Sequence, residues 1–135
     1  MNDTLVFEIK LLLPYDQAMQ AVEAAFKAEG FGFLTHVDVP ATFKAKLNAD
    51  FRPFSIIGVC KPTLAQRLLT ADPTMGLVLP CKVTVEAAED GHSIIRIINP
   101  KMMQVLDLND DPEIERVAGE AEASIRRVVK VLESL

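Results

Sequence analysis

Four of the chain's eight prolines, Pro14, Pro40, Pro62 and Pro112, stand at the head of segments that read as helices. Proline has no backbone N–H to donate and its ring crowds the preceding turn, so a helix accepts it only in the first turn. These positions therefore fix where four helices begin and leave the stretches between them for strands and turns.

The stretches between them behave accordingly. Thr4 to Leu11 alternates, with Leu5, Phe7, Ile9 and Leu11 on one face and Thr4, Glu8 and Lys10 on the other. After Pro14, residues Ala18, Met19, Val22, Ala25, Phe26 and Glu29 recur at helical spacing until Gly30 stops the run. Phe31 to Val39 alternates again, placing Phe31, Phe33, Val37 and Val39 on one side and Leu34, His36 and Asp38 on the other. A short helix from Pro40 to Leu47 and a loop over 48–52 lead into Phe54 to Cys60. That run is apolar on both faces, which predicts an interior strand.

Pro62 opens a helix whose inner stripe is Leu64, Ala65, Leu68 and Leu69, closed by Asp72-Pro73. Leu77 to Ala88 reads as one long strand with a bulge, bend or edge position at Pro80. Glu89-Asp90-Gly91 carries the Asp-Gly hairpin signal, and Ser93 to Ile98 is the return strand. Pro100 to Leu108 predicts a short helix. In the last helix Ile114, Ala118, Ala121, Ile125, Val128 and Leu132 form one apolar stripe, with acids in its first turn and bases near its end.

Early alternation of strand and helix, then a hairpin, then helices, predicts an α+β fold. The expected architecture is a two-layer sandwich with helices on one face of a mainly antiparallel or mixed sheet of about five strands. The other face is left to solvent or to a second subunit. At 135 residues, half of them hydrophobic, the chain is expected to be a single domain over 1–135 that folds without disulfide or metal staples.

The net charge of −5 sits mostly in residues 102–135, which carry −4 of it, and no basic run appears. Nucleic acid is therefore an unsuitable partner, since phosphate binding needs a cationic stripe. The N-terminal apolar stretch Ile9–Pro14 is broken by Lys10 and too short to span a bilayer or serve as a signal peptide, so no membrane partner and a cytoplasmic location are expected.

Chemistry has few candidates. Cys60 ends a strand just before the helix at Pro62, where the positive end of the helix dipole and Lys61 favour thiolate, while burial opposes it. Cys81 follows after 20 intervening residues, a spacing with no zinc-knuckle pattern; the pair could bind a soft metal or a haem-type group only if the fold brings the sulfurs together. His36 and Asp38, two apart on a strand, are candidates for a base or for ligands beside a cysteine. Lys44 and Lys46 diverge by about 200° on a helix, so at most one, with Lys46 the candidate, reaches such a site. Met102 and Met103 are soft donors that more often fill a core. No phosphate loop and no serine nucleophile elbow is present, and no complete catalytic set is identifiable.

Asp38, Thr42, Lys44 and Lys46 in HVDVPATFKAKL, Cys60, Pro62 and Ala65 in IIGVCKPTLAQRLL, and Leu77 to Val83 in LVLPCKV appear in an order that resembles the bacterial and archaeal family called domain of unknown function 302. The resemblance runs from about Phe31 to Pro100, and departs from the family at Lys61, where asparagine is more usual. It implies a small α+β domain, often a homodimer, with no established activity. The expectation is a non-enzymatic module that binds a small molecule or a partner near Cys60, Cys81, His36, Asp38 and Lys46. The alternative is a thiol-centred redox or soft-metal/haem protein using Cys60 and Cys81.

Overall fold

A computed structural model describes residues 5–105 and 111–135. In chain order the elements are strand β1 (Val6–Leu11), helix α1 (Tyr15–Ala28), β2 (Gly32–Asp38), α2 (Val39–Leu47), β3 (Phe54–Cys60), α3 (Pro62–Ala71), β4 (Cys81–Ala87), β5 (Ser93–Ile98), α4 (Met102–Val105) and α5 (Pro112–Glu133). The five strands form one antiparallel sheet in the order β1-β5-β4-β3-β2. The α+β class read from the sequence is borne out.

Register decides which side chains the helices cover. Ser55, Ile57 and Val59 of β3 stand opposite Val85, Val83 and Cys81 of β4; those last two valines face Ile95 and Ile97 of β5, which face Ile9 and Phe7 of β1. All of these are buried, beneath the apolar stripes of α1, α3 and α5. The α5 stripe, Ile114, Ala118, Ala121, Ile125, Val128 and Leu132, is buried throughout, as its spacing predicts. Asp111 caps this helix by accepting a hydrogen bond from the Glu113 amide at 2.8 Å. Arg67 of α3 reaches Glu113 at 3.0 Å and Glu120 at 2.8 Å, so part of the C-terminal acidity is engaged in tying α3 to α5.

The opposite face of the sheet holds the alternate set: Glu8, Lys10, Ile94, Arg96, Lys82, Thr84, Glu86, Phe54 and Ile56. There the Glu86 carboxylate, only 7% exposed, is shared by Arg52 (2.7 Å) and Arg96, and Arg96 also holds Glu8 at 2.8 Å. Helix α2 flanks this side at the β2–β3 edge.

Three expectations are corrected. Leu77 to Ala88 is not one strand. Asp72 accepts from the Thr74 amide and starts a 3₁₀ turn over Pro73–Val78, Leu77 points to solvent at 84% exposure, the Leu79–Pro80 peptide is cis, and the ladder begins only at Cys81. The α3 stripe is narrower than its spacing suggests: Leu64 and Leu68 are buried while Leu69 is 40% exposed. Third, a bulge between Phe33 and Thr35 shifts the register of β2, so His36, itself exposed on this edge strand, stands opposite Ile57 on the side the helices pack against and Val37 opposite Ile56 on the other. Strict alternation had put Phe33 and Val37 together. The hairpin forms at Glu89–Gly91 with Asp90 and Gly91 at φ of 61° and 73°, the left-handed pair that an Asp-Gly turn supplies. Thr4 and the Leu106–Leu108 end of the predicted short helix lie outside the described residues.

Candidate functional site

Cys60 is the last residue of β3 and Cys81 the first of β4. Val59 pairs with Cys81 across the ladder, so the two thiols sit at the same end of neighbouring strands, where β3 turns into α3. Gly58 makes the approach possible: a Cβ there would lie 2.2 Å from the Thr35 hydroxyl and 2.4 Å from the Pro80 ring, and its absence lets Pro80 close in just before Cys81.

Both cysteines are free thiols and both line one slot of about 30 Å³, together with Phe31, Leu64, Val117 and Met103 of α4. This is room for a single atom or a water-sized group. A larger cavity of about 350 Å³ adjoins it, lined by Pro80, Cys81, Lys82, Ile98, Met102 and Met103 among others; Leu79, Cys81 and Met103 line both. Lys61 also lines the slot. Its ammonium lies 5.8 Å from the centre of the Phe31 ring and donates to the Ser124 hydroxyl at 3.4 Å.

Burial pushes the Cys81 thiol up to about 11, with the nearby Cys60 sulfur adding in the same direction and Lys82 opposing. Cys81 therefore stays protonated near neutral pH unless a cation displaces the proton. Among the described residues no group of three or more His, Cys, Asp and Glu side chains is placed to hold a metal. The soft donors at this end are all sulfur.

The other sequence-predicted residues are elsewhere. His36 sits further along β2, where its Nε2 hydrogen-bonds the Ser55 hydroxyl at 2.6 Å, and Ser55 also bonds the Tyr15 hydroxyl. Asp38 caps α2, accepting from the Ala41 amide at 3.0 Å while its backbone carbonyl accepts from the Thr42 hydroxyl at 2.9 Å. Lys46 is exposed on α2, and Lys44 pairs with Asp50 at 3.2 Å. Along β3, Asp38 stands opposite Ser55 and His36 opposite Ile57, five and three residues from Cys60, roughly 16 Å and 10 Å along a strand. The structure thus brings Cys60, Cys81 and Met103 together and leaves His36, Asp38 and Lys46 apart from them. Sequence reasoning missed Ser55 and Tyr15, whose meeting with His36 depends on the bulge.

The family model for "Domain of unknown function DUF302" matches residues 7–132. The chain belongs to the DUF302 family. The sequence resemblance, which covered about Phe31 to Pro100, extends through β1 and into α5. A solved structure described as an uncharacterized conserved protein DUF302 from Bacillus stearothermophilus is similar at 26% identity and a TM-score of 0.80, covering 94% of this chain and 97% of that one. No curated protein matches the chain. Among the described residues no helix is long and apolar enough to cross a membrane. For this DUF302 chain, then, the sulfur-lined end of β3 and β4 is the candidate site, and what it does has to be argued from its chemistry.

Proposed function

We propose that this DUF302 domain is a non-enzymatic binding module that holds a soft cation at the Cys60–Cys81 end of its sheet, with Met103 as the third sulfur donor. The observation that carries the reading is that two cysteines and a methionine, from three separate elements, are among the residues lining one slot of about 30 Å³. Thiolate and thioether donors select soft ions such as Cu(I) over hard ones, and an apolar wall of Phe31, Leu64 and Val117 keeps competing water out. Binding would take the proton from Cys81, so affinity rises with pH.

The thiol-redox alternative is less well supported. Exchange requires an accessible thiolate, whereas Cys81 is buried and its thiol is held neutral at ordinary pH. A haem-type group would need more room than the slot offers. A cytoplasmic setting, where thiols stay reduced, and the homodimer implied by the family resemblance belong to the same reading. Exposed apolar residues Leu34 on β2 and Leu47 on α2 favour self-association, which the mass in solution at rising concentration would test.

The deciding experiment is anaerobic Cu(I) titration against a chromophoric chelator. One ion per chain is expected, lost in Cys81→Ser and in Cys60→Ser and weakened in Met103→Leu. Equal copper uptake by the parent chain and by the double serine variant would refute the proposal.

A further inference from the structure

A separate cavity lies on the sheet face opposite the thiol slot and does not depend on it. Helix α2, the loop after it and the edge of the sheet enclose a groove of about 330 Å³ lined by Val37, Val39, Phe43, Phe51, Phe54 and Ile56, with Thr42 as the one polar member. The Thr42 hydroxyl gives its hydrogen to the Asp38 carbonyl. The rest of the wall is apolar, much of it aromatic: Phe43 and Phe51 meet edge-to-face with centroids 5.1 Å apart, and Phe51 and Phe54 follow at 6.2 Å.

One cation stands beside these rings. The Arg52 guanidinium lies 4.5 Å from the Phe51 centroid and 5.7 Å from that of Phe54, half-exposed. It holds Glu86 through Nε at 2.8 Å and through one terminal nitrogen at 2.7 Å. A guanidinium carries five N–H donors, so a ligand carboxylate can engage the remaining ones without displacing Glu86.

We infer that this groove is a binding site for a small aromatic or branched apolar carboxylate, its hydrocarbon body on Phe43, Phe51, Phe54 and Ile56 and its anionic group on Arg52. Size favours a small molecule over a protein. The volume falls within the about 300–1,000 Å³ of small-molecule sites, whereas a stable protein interface engages about 20–30 residues on each side and this groove has seven.

The test titrates the full chain with naphthoate, with uncharged methylnaphthalene and with cationic naphthylmethylamine, following naphthalene fluorescence, and measures sedimentation alongside. Thr42→Trp, at an exposed helix position, fills the groove; Phe51→Ala, in a loop, removes one wall and repeats the test if the first variant folds poorly. Saturable naphthoate binding is expected, abolished by Thr42→Trp, weakened by Phe51→Ala, and about tenfold weaker in Arg52→Gln with methylnaphthalene little changed. Naphthoate binding that survives both Thr42→Trp and Phe51→Ala, tighter binding of the amine, or no binding of any probe would overturn the inference. So would a dimer that Thr42→Trp converts to monomer while naphthoate fails to bind, since the occupant would then be a second copy.

Discussion

Val59 and Cys81 face each other across the β3–β4 ladder, and that pairing places the Cys81 thiol on the covered side of the sheet, among core residues. Its pKa rises from 9.0 to about 11, mainly by burial, which corresponds to about 2.7 kcal/mol of preference for the neutral thiol at most. A raised acid pKa means that this contribution is complete below about 9 and is lost as pH climbs towards 11. In native protein at pH 8, Cys81 should react with iodoacetamide far more slowly than Cys60, and the two rates should converge in urea. Peptide mass mapping of the alkylated cysteines reads this directly.

Glu86 gives the opposite pH signature. Burial alone would raise its pKa, but hydrogen bonds and charge from Arg96 and Arg52 outweigh it and hold the carboxylate below its ordinary 4.5. A depressed pKa stabilises the fold above 4.5 and loses that contribution as pH falls below it. Glu86→Gln should cost about 2 kcal/mol at pH 7 and flatten the acid limb of a urea-denaturation pH profile. A variant as acid-sensitive as the parent would show that Glu86 is not the carboxylate responsible.

Ser55 joins β3 to β2 through His36 and to α1 through Tyr15. Replacing it by alanine strands a partly buried tyrosine hydroxyl, and the expected loss is about 1–3 kcal/mol. His36→Ala should cost less, because Ser55 keeps Tyr15. Chemical denaturation of the two variants orders them.

Asp38 acts as a helix cap, so Asp38→Ala should lower stability by about 1 kcal/mol and leave Cu(I) affinity at the thiol end unchanged. Altered copper affinity would mean that the β2 end communicates with the slot.

These cases also mark how far the sequence could be followed. Helix starts at Pro62 and Pro112, the β4–β5 hairpin and the α5 stripe were legible because each rests on local chemistry: ring geometry, left-handed turn residues, spacing along one face. What escaped was set by distant neighbours. Nothing within residues 31–39 announces the bulge that moves His36 to the covered side, since it answers to β3 rather than to its own pattern. The strand expected at Leu77 follows the right alternation, yet a capped 3₁₀ turn takes its first residues. Cys60 and Cys81 were readable as candidates, but their shared slot, and Met103 within it, come from strand register and the docking of α4. His36, Asp38 and Lys46 lie near Cys60 in motif order, a proximity that the sheet does not preserve.

The strand order carries a consequence for biosynthesis. Strands β2 to β5 pair each with the next one made, but β1 joins the sheet only beside β5, Val6 against Ile98. On a ribosome the first strand to emerge is thus without its partner until most of the chain has been translated. Phe7, Ile9 and Leu11 must wait through that interval exposed or loosely sheltered by α1. Slowing translation just after β5 should favour correct folding, and a chaperone that holds nascent chains should be found on the N-terminal strand.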